Sequence, residues 1–126
     1  MKDRLVTAIY LVTLLVVLGS VGCGKNPGPP PPLPVEQIPA ELQKAFNSAG
    51  TEAKDVVGRV ISALQSKDYP TAYEKIQTLC ALQEETKEQR LLAARVLITL
   101  TGLLQTAQAQ GDESAAAALR LRQTSR

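Results

Sequence analysis

Six of the ten residues from Lys25 to Pro34 (KNPGPPPPLP) are proline, and this run divides the chain. Proline fixes φ and donates no backbone N–H, so neither a helix nor a sheet ladder passes through such a stretch. The run reads as a polyproline II spacer, which at about 3.1 Å per residue reaches on the order of 30 Å. A ligand for aromatic-lined grooves is the alternative reading of the same prolines. What folds must lie beyond it, so 36–126 is expected to form the domain. About 90 residues suffice for a small, thin core.

The composition of that part favours helices. The whole chain has one Phe, three Tyr and no Trp, and the apolar content is Ala, Val, Ile and Leu. Such side chains suit closely packed helices better than a β sandwich. Ile38, Leu42, Ala45, Phe46 and Ala49 form one helical stripe, with Pro39 in the first turn and Gly50 as a stop. Thr51 is the expected N-cap of the next helix, whose apolar face is Ala53, Val56, Val57, Val60, Ile61 and Leu64. Asp68 caps a third, with Tyr69, Ala72, Tyr73, Ile76, Leu79 and Cys80 facing inward. Thr86 caps a fourth, from about Lys87 to Gln110, whose middle (LLAARVLITLTGLL) is apolar round much of its circumference and suggests a central position. Gly102 inside it marks a close helix contact or a bend. Gly111 ends that helix, and Asp112 caps a last, Ala-rich one through about Arg122, expected to pack loosely. Short connections between successive helices imply antiparallel neighbours. The expected fold is therefore all-α, a small bundle or hairpin stack of four to five helices.

Ahead of the spacer the chain starts MKDR, with Lys2 and Arg4 as a positive segment. An uncharged run, Leu5 to Leu18, follows; it has the length of a signal-peptide core rather than a full membrane span. Slim residues Gly19 to Gly22 then lead to Cys23. These residues resemble the signal of bacterial lipoproteins, in which a cysteine after a small residue takes a diacylglycerol and becomes the new N-terminus. Ser20 departs from the pattern, where the family most often has Leu. The resemblance makes 1–22 a cleaved signal peptide, Cys23 a lipidation site, and 23–35 a lipidated cysteine with a proline-rich tether. It implies a cell-envelope location, and two or more acyl chains make such an anchor stable. Gly24 rather than Asp follows the cysteine, which by the same resemblance favours the outer membrane in a Gram-negative cell. Two other readings remain open: an uncleaved span from Leu5 to Gly22, and a cleaved, secreted chain. All three place the chain outside the cytoplasm.

A second resemblance covers one hairpin. The stretch ALQSKDYPTAYEKIQTL is similar to a tetratricopeptide helix–turn–helix, carried by Asp68-Tyr69 at the turn, Ala72, Ile76 and Leu79. It departs at Arg59, where that family has Leu, and at Val60, where it has a small residue. Only one unit is visible, whereas such arrays are built from three or more.

Little chemistry is visible. The chain has no histidine, which removes the usual general base and the commonest metal ligand. Cys80 is expected to be a small buried hydrophobe, and a disulfide would require Cys23 to escape lipidation. Glu84, Glu85 and Glu88 suit the dipole of the following helix. The net charge is +2 from 14 basic and 12 acidic residues; removing Lys2, Arg4 and Asp3 leaves 12 and 11, or about +1. Only Arg120, Arg122 and Arg126 cluster, as a solvated tail, so no nucleic-acid partner is expected. No catalytic, cofactor or metal site is expected. The leading functional expectation is a non-enzymatic envelope lipoprotein whose domain binds another envelope protein as an assembly factor. A self-associating structural lipoprotein and a carrier of an apolar ligand are the rivals.

Overall fold

The computed structural model describes residues 28–83 and 85–124. Among these the protein is all-helical. A 3-10 turn, Val35–Gln37, runs directly into α1 (Ile38–Ala45). α2 (Thr51–Gln65), α3 (Tyr69–Ala81), α4 (Lys87–Ala109) and α5 (Glu113–Thr124) follow. Each helix from α2 onward packs on its predecessor, most extensively α3 on α2. α4 touches α1, α3 and α5, so it is central as its composition implied. By length and composition α4 could cross a bilayer, yet Leu92, Ala93, Val96, Leu100 and Leu104 on one face are in the core.

The core joins Ile38, Leu42 and Phe46 of the α1 region to Val60 of α2, Tyr73, Ile76 and Leu79 of α3, and Leu100 and Leu104 of α4. Phe46 is fully buried, but α1 stops at Ala45 rather than at Gly50: Phe46 is its C-cap and Ala49 lies beyond the helix. α5 contributes only Ala115 to the buried set.

The corners follow capping chemistry. α2 ends with Lys67 in the left-handed region (φ 56°), the Lys67 N–H bonding Leu64 O at 3.0 Å and the Asp68 N–H bonding Ala63 O at 2.9 Å. α4 ends the same way: Gly111 has φ 93°, its N–H bonds Gln108 O at 3.0 Å, and the Asp112 N–H bonds Ala107 O at 3.0 Å. These are Schellman closures, in which a left-handed residue lets the last carbonyls find donors. Asp68 and Asp112 then cap α3 and α5, accepting from the backbone N–H groups of Thr71 (3.2 Å) and Ser114 (2.9 Å) respectively. Thr86 and Gln89 form a reciprocal capping box at the start of α4.

Several expectations are corrected. Gly50, not Thr51, is the N-cap of α2, with no side-chain bond; Thr51 is already in the helix. Gly102 is exposed, and a Cβ there would meet nothing within 4 Å, so it marks no close helix contact. The Arg-bearing tail is helical through Thr124, with Arg122 half-buried; Arg126 lies outside the described residues. Cys80 is exposed. The α3 stripe runs through Ala72, Tyr73, Ile76 and Leu79; Cys80 falls about 20° from Tyr73 around the helix, and in the last turn of α3 it is left uncovered.

Candidate functional site

Cys23 and the whole signal region lie outside the described residues, so the structure meets the expected tether only at its end. There the end of the proline run, from Pro31, is docked on the domain as a strap. Leu33 is only 4% exposed and belongs to the core. Its N–H donates to Thr99 Oγ1 at 2.9 Å, and the Thr99 hydroxyl donates to Leu33 O at 2.6 Å. One hydroxyl thus satisfies both backbone groups of a residue that no sheet partner could reach. Arg95 Nε donates to Pro31 O at 3.0 Å. Pro34 keeps polyproline II geometry (φ −55°, ψ 137°), so the prolines hold the strap extended while Leu33 anchors it.

The α3–α4 connection carries the most unusual charge. Glu85 is 7% exposed, and among the described residues neither carboxylate oxygen has a hydrogen-bond partner. Burial pushes its carboxyl above the ordinary range, against a smaller downward pull from Arg90. It lines a recess of about 260 Å³ with Gly50, Thr51, Leu82 and Gln89. Gln89 is the tie at this corner, its Nε2 donating to Ala45 O at the end of α1 at 2.9 Å. The expected dipole role therefore applies to Glu88, exposed in the first turn of α4, and not to the buried Glu85. Glu84 lies outside the described residues.

Cys80 makes a poor nucleophile. Desolvation raises its thiol, and the nearby charge of Glu85 raises it further. At neutral pH it stays a thiol, the unreactive form. Among the described residues no three of His, Cys, Asp and Glu gather to hold a metal ion.

A half-open groove of about 580 Å³ lies between α3 and α5. Pro70, Thr71, Tyr73, Glu74 and Gln77 line it from α3, and Ser114, Ala117, Ala118, Leu121 and Arg122 from α5. Tyr73 is 1% exposed, and its hydroxyl has no contact with solvent and no partner among the described residues. The small side chains of α5 leave this space, which helices of ordinary bulk would fill.

Sequence reasoning missed Thr99, Gln89 and the Tyr73 hydroxyl, and read Glu85 as an exposed dipole partner. One had a local signal: Thr86 and Gln89 have the spacing of a capping box. Thr99 had none, being 66 residues from its partner. No family model, curated protein or solved structure matches the chain.

Proposed function

We propose that this chain is a non-enzymatic, lipid-anchored protein of the bacterial envelope, whose helical domain binds another envelope protein close to the membrane. The address rests on the first 24 residues: the positive start, the uncharged run and Cys23 after Gly22. The structural observation that supports a role close to the membrane is the docked strap. Seven residues, 24–30, separate Cys23 from Pro31. Fully extended at about 3.3–3.6 Å each, they reach roughly 25 Å. With Pro31 and Leu33 fixed on α4, the anchor would hold a defined side of the domain toward the lipid. A role through binding fits a chain with no histidine and a cysteine kept as a thiol.

The test is the intact mass of the N-terminal peptide from protein made in a bacterial host, beside Cys23→Ser, with crosslinking in the membrane. A peptide beginning at an acylated Cys23, absent in the variant, is expected, together with one envelope protein recovered reproducibly. A Met1 start without acyl mass would replace the lipid anchor by a span. Repeated crosslinking without a specific partner would sink the partner-binding role.

A further inference from the structure

The cleft between α3 and α5 has the size and chemistry of a ligand site, and it depends neither on Cys23 nor on a protein partner. Its volume of about 580 Å³ lies within the range of about 300–1,000 Å³ typical of small-molecule pockets. Pro70, the Tyr73 ring, Ala117, Ala118 and Leu121 supply apolar lining on both walls. Two polar features stand out against it. Tyr73 is 99% buried, by its 1% exposure, and its hydroxyl has no hydrogen-bond partner among the described residues. Buried hydroxyls normally have one, and this one still carries a donor and two acceptor sites. Arg122, half-buried on the opposite wall, makes no ion pair among the described residues. Glu74, the one acidic group in the lining, is held by Lys75 at 2.9 Å. The neighbouring Arg120 turns back onto Ala116 O at 3.3 Å, leaving Arg122 as the cation of the cleft.

We propose that this cleft binds a single-chain anionic amphiphile, a carboxylate-headed molecule of fatty-acid type. Its chain lies against Pro70, the Tyr73 ring, Ala117 and Leu121. Its head pairs with Arg122, and it meets the Tyr73 hydroxyl, which is sealed from solvent in this structure, only where binding parts α3 from α5. The unpaired cation selects an anion over a neutral or cationic head, and the apolar lining selects an acyl chain over a small hydrophilic acid.

The experiment uses the full chain in lipid discs with a photoactivatable, diazirine-bearing dodecanoate below its micellar concentration, and maps the crosslinked residues by mass spectrometry. Label is expected in the peptides bearing Tyr73 and residues 117–121, competed by plain dodecanoate and not by dodecyltrimethylammonium. Ala117→Leu, at an exposed position that projects into the cleft, is expected to cut the label about tenfold. Arg122→Gln, which leaves the apolar walls intact, is expected to cut it at least fivefold. Tyr73→Phe is expected to cut it severalfold without loss of thermal stability, which a purely structural hydroxyl would not do. Label that is spread over the surface or confined to 1–27 would overturn the site. So would label indifferent to both α5 substitutions, or competed equally by the cationic amphiphile. Unchanged labelling of Tyr73→Phe would remove the hydroxyl from the head contact and overturn that part of the assignment.

Discussion

The corner between α2 and α3 and the corner between α4 and α5 are built alike, yet the helices that leave them are held very differently. Each corner has a left-handed residue, Lys67 or Gly111, followed by an aspartate whose N–H closes the preceding helix and whose carboxylate caps the next. Even the accessory hydroxyl is shared: Thr71 Oγ1 donates to Asp68 and Ser114 Oγ to Asp112, both at 2.7 Å. After the first corner α3 buries Ala72, Tyr73, Ile76 and Leu79. After the second α5 buries Ala115 alone. Backbone chemistry therefore sets the direction in which a helix leaves, and side-chain volume sets whether it is locked there.

The largest effect should separate the two helices outright. Ile76→Ala, at a fully buried position of α3, should cost about 2–5 kcal/mol in chemical denaturation. Leu121→Ala on α5, where the side chain is 69% exposed, should stay within about 0.5 kcal/mol. Equal costs would break the contrast. Next comes a substitution that touches neither corner. Thr99→Val keeps the shape but removes both strap bonds, and should cost about 1–2 kcal/mol and speed proteolysis around residues 28–37. Unchanged proteolysis would show that Leu33 burial and the Arg95–Pro31 bond hold the strap without Thr99.

The corners themselves should respond in opposite directions. Gly111→Ala forces a side chain into φ 93° and should destabilise by about 1 kcal/mol. Lys67→Gly relieves φ 56° and should stabilise by up to about 1 kcal/mol. Because α5 has so little burial, the Gly111 effect should appear mainly as faster amide exchange in α5, while Lys67→Gly should shift the global transition.

The subtlest contrast is in pH. Glu85, at the exit of α3, has a carboxyl raised above its reference of 4.5. The folded state then holds the proton more tightly, so stability is greatest below about 4.5 and falls as pH rises through the raised value. Asp112, at the entrance of α5, is lowered from 3.8 by the Ser114 hydroxyl first and then by the Ala115 and Ser114 N–H groups. Its contribution is complete above 3.8 and is lost as pH falls through the depressed value. Amide exchange against pH should show α5 loosening in acid. Glu85→Gln should abolish the opposite, alkaline-side decline in global stability. A decline that survives this substitution would assign it to another group.

Most of the helical framework was legible because its signals are local. Asp68, Thr86, Gly111 and Asp112 each announce a helix boundary through chemistry acting within a few residues, and the all-α bundle follows from them and the apolar stripes. Lys67 was not legible as a left-handed residue, since nothing but the closure of α2 requires it there. Cys80 was misplaced because Ile76 allows an inward neighbour at either three or four residues on, and packing took Leu79. The cleft was foreshadowed by the alanines of α5. The buried carboxylate of Glu85 and the clasp between Leu33 and Thr99 are products of tertiary contact, for which a linear pattern holds no sign.

The clasp also decides how the molecule bears load. Tension applied from the N-terminal side does not reach α1 first. It arrives at Pro31 and Leu33, which are fastened to Arg95 and Thr99 near the middle of the longest helix. The bonds there must give way before the 3-10 turn and α1 can be peeled from α4. Pulling the chain by its N-terminus should therefore show one early rupture, at lower force in Thr99→Val, ahead of the unravelling of the helices.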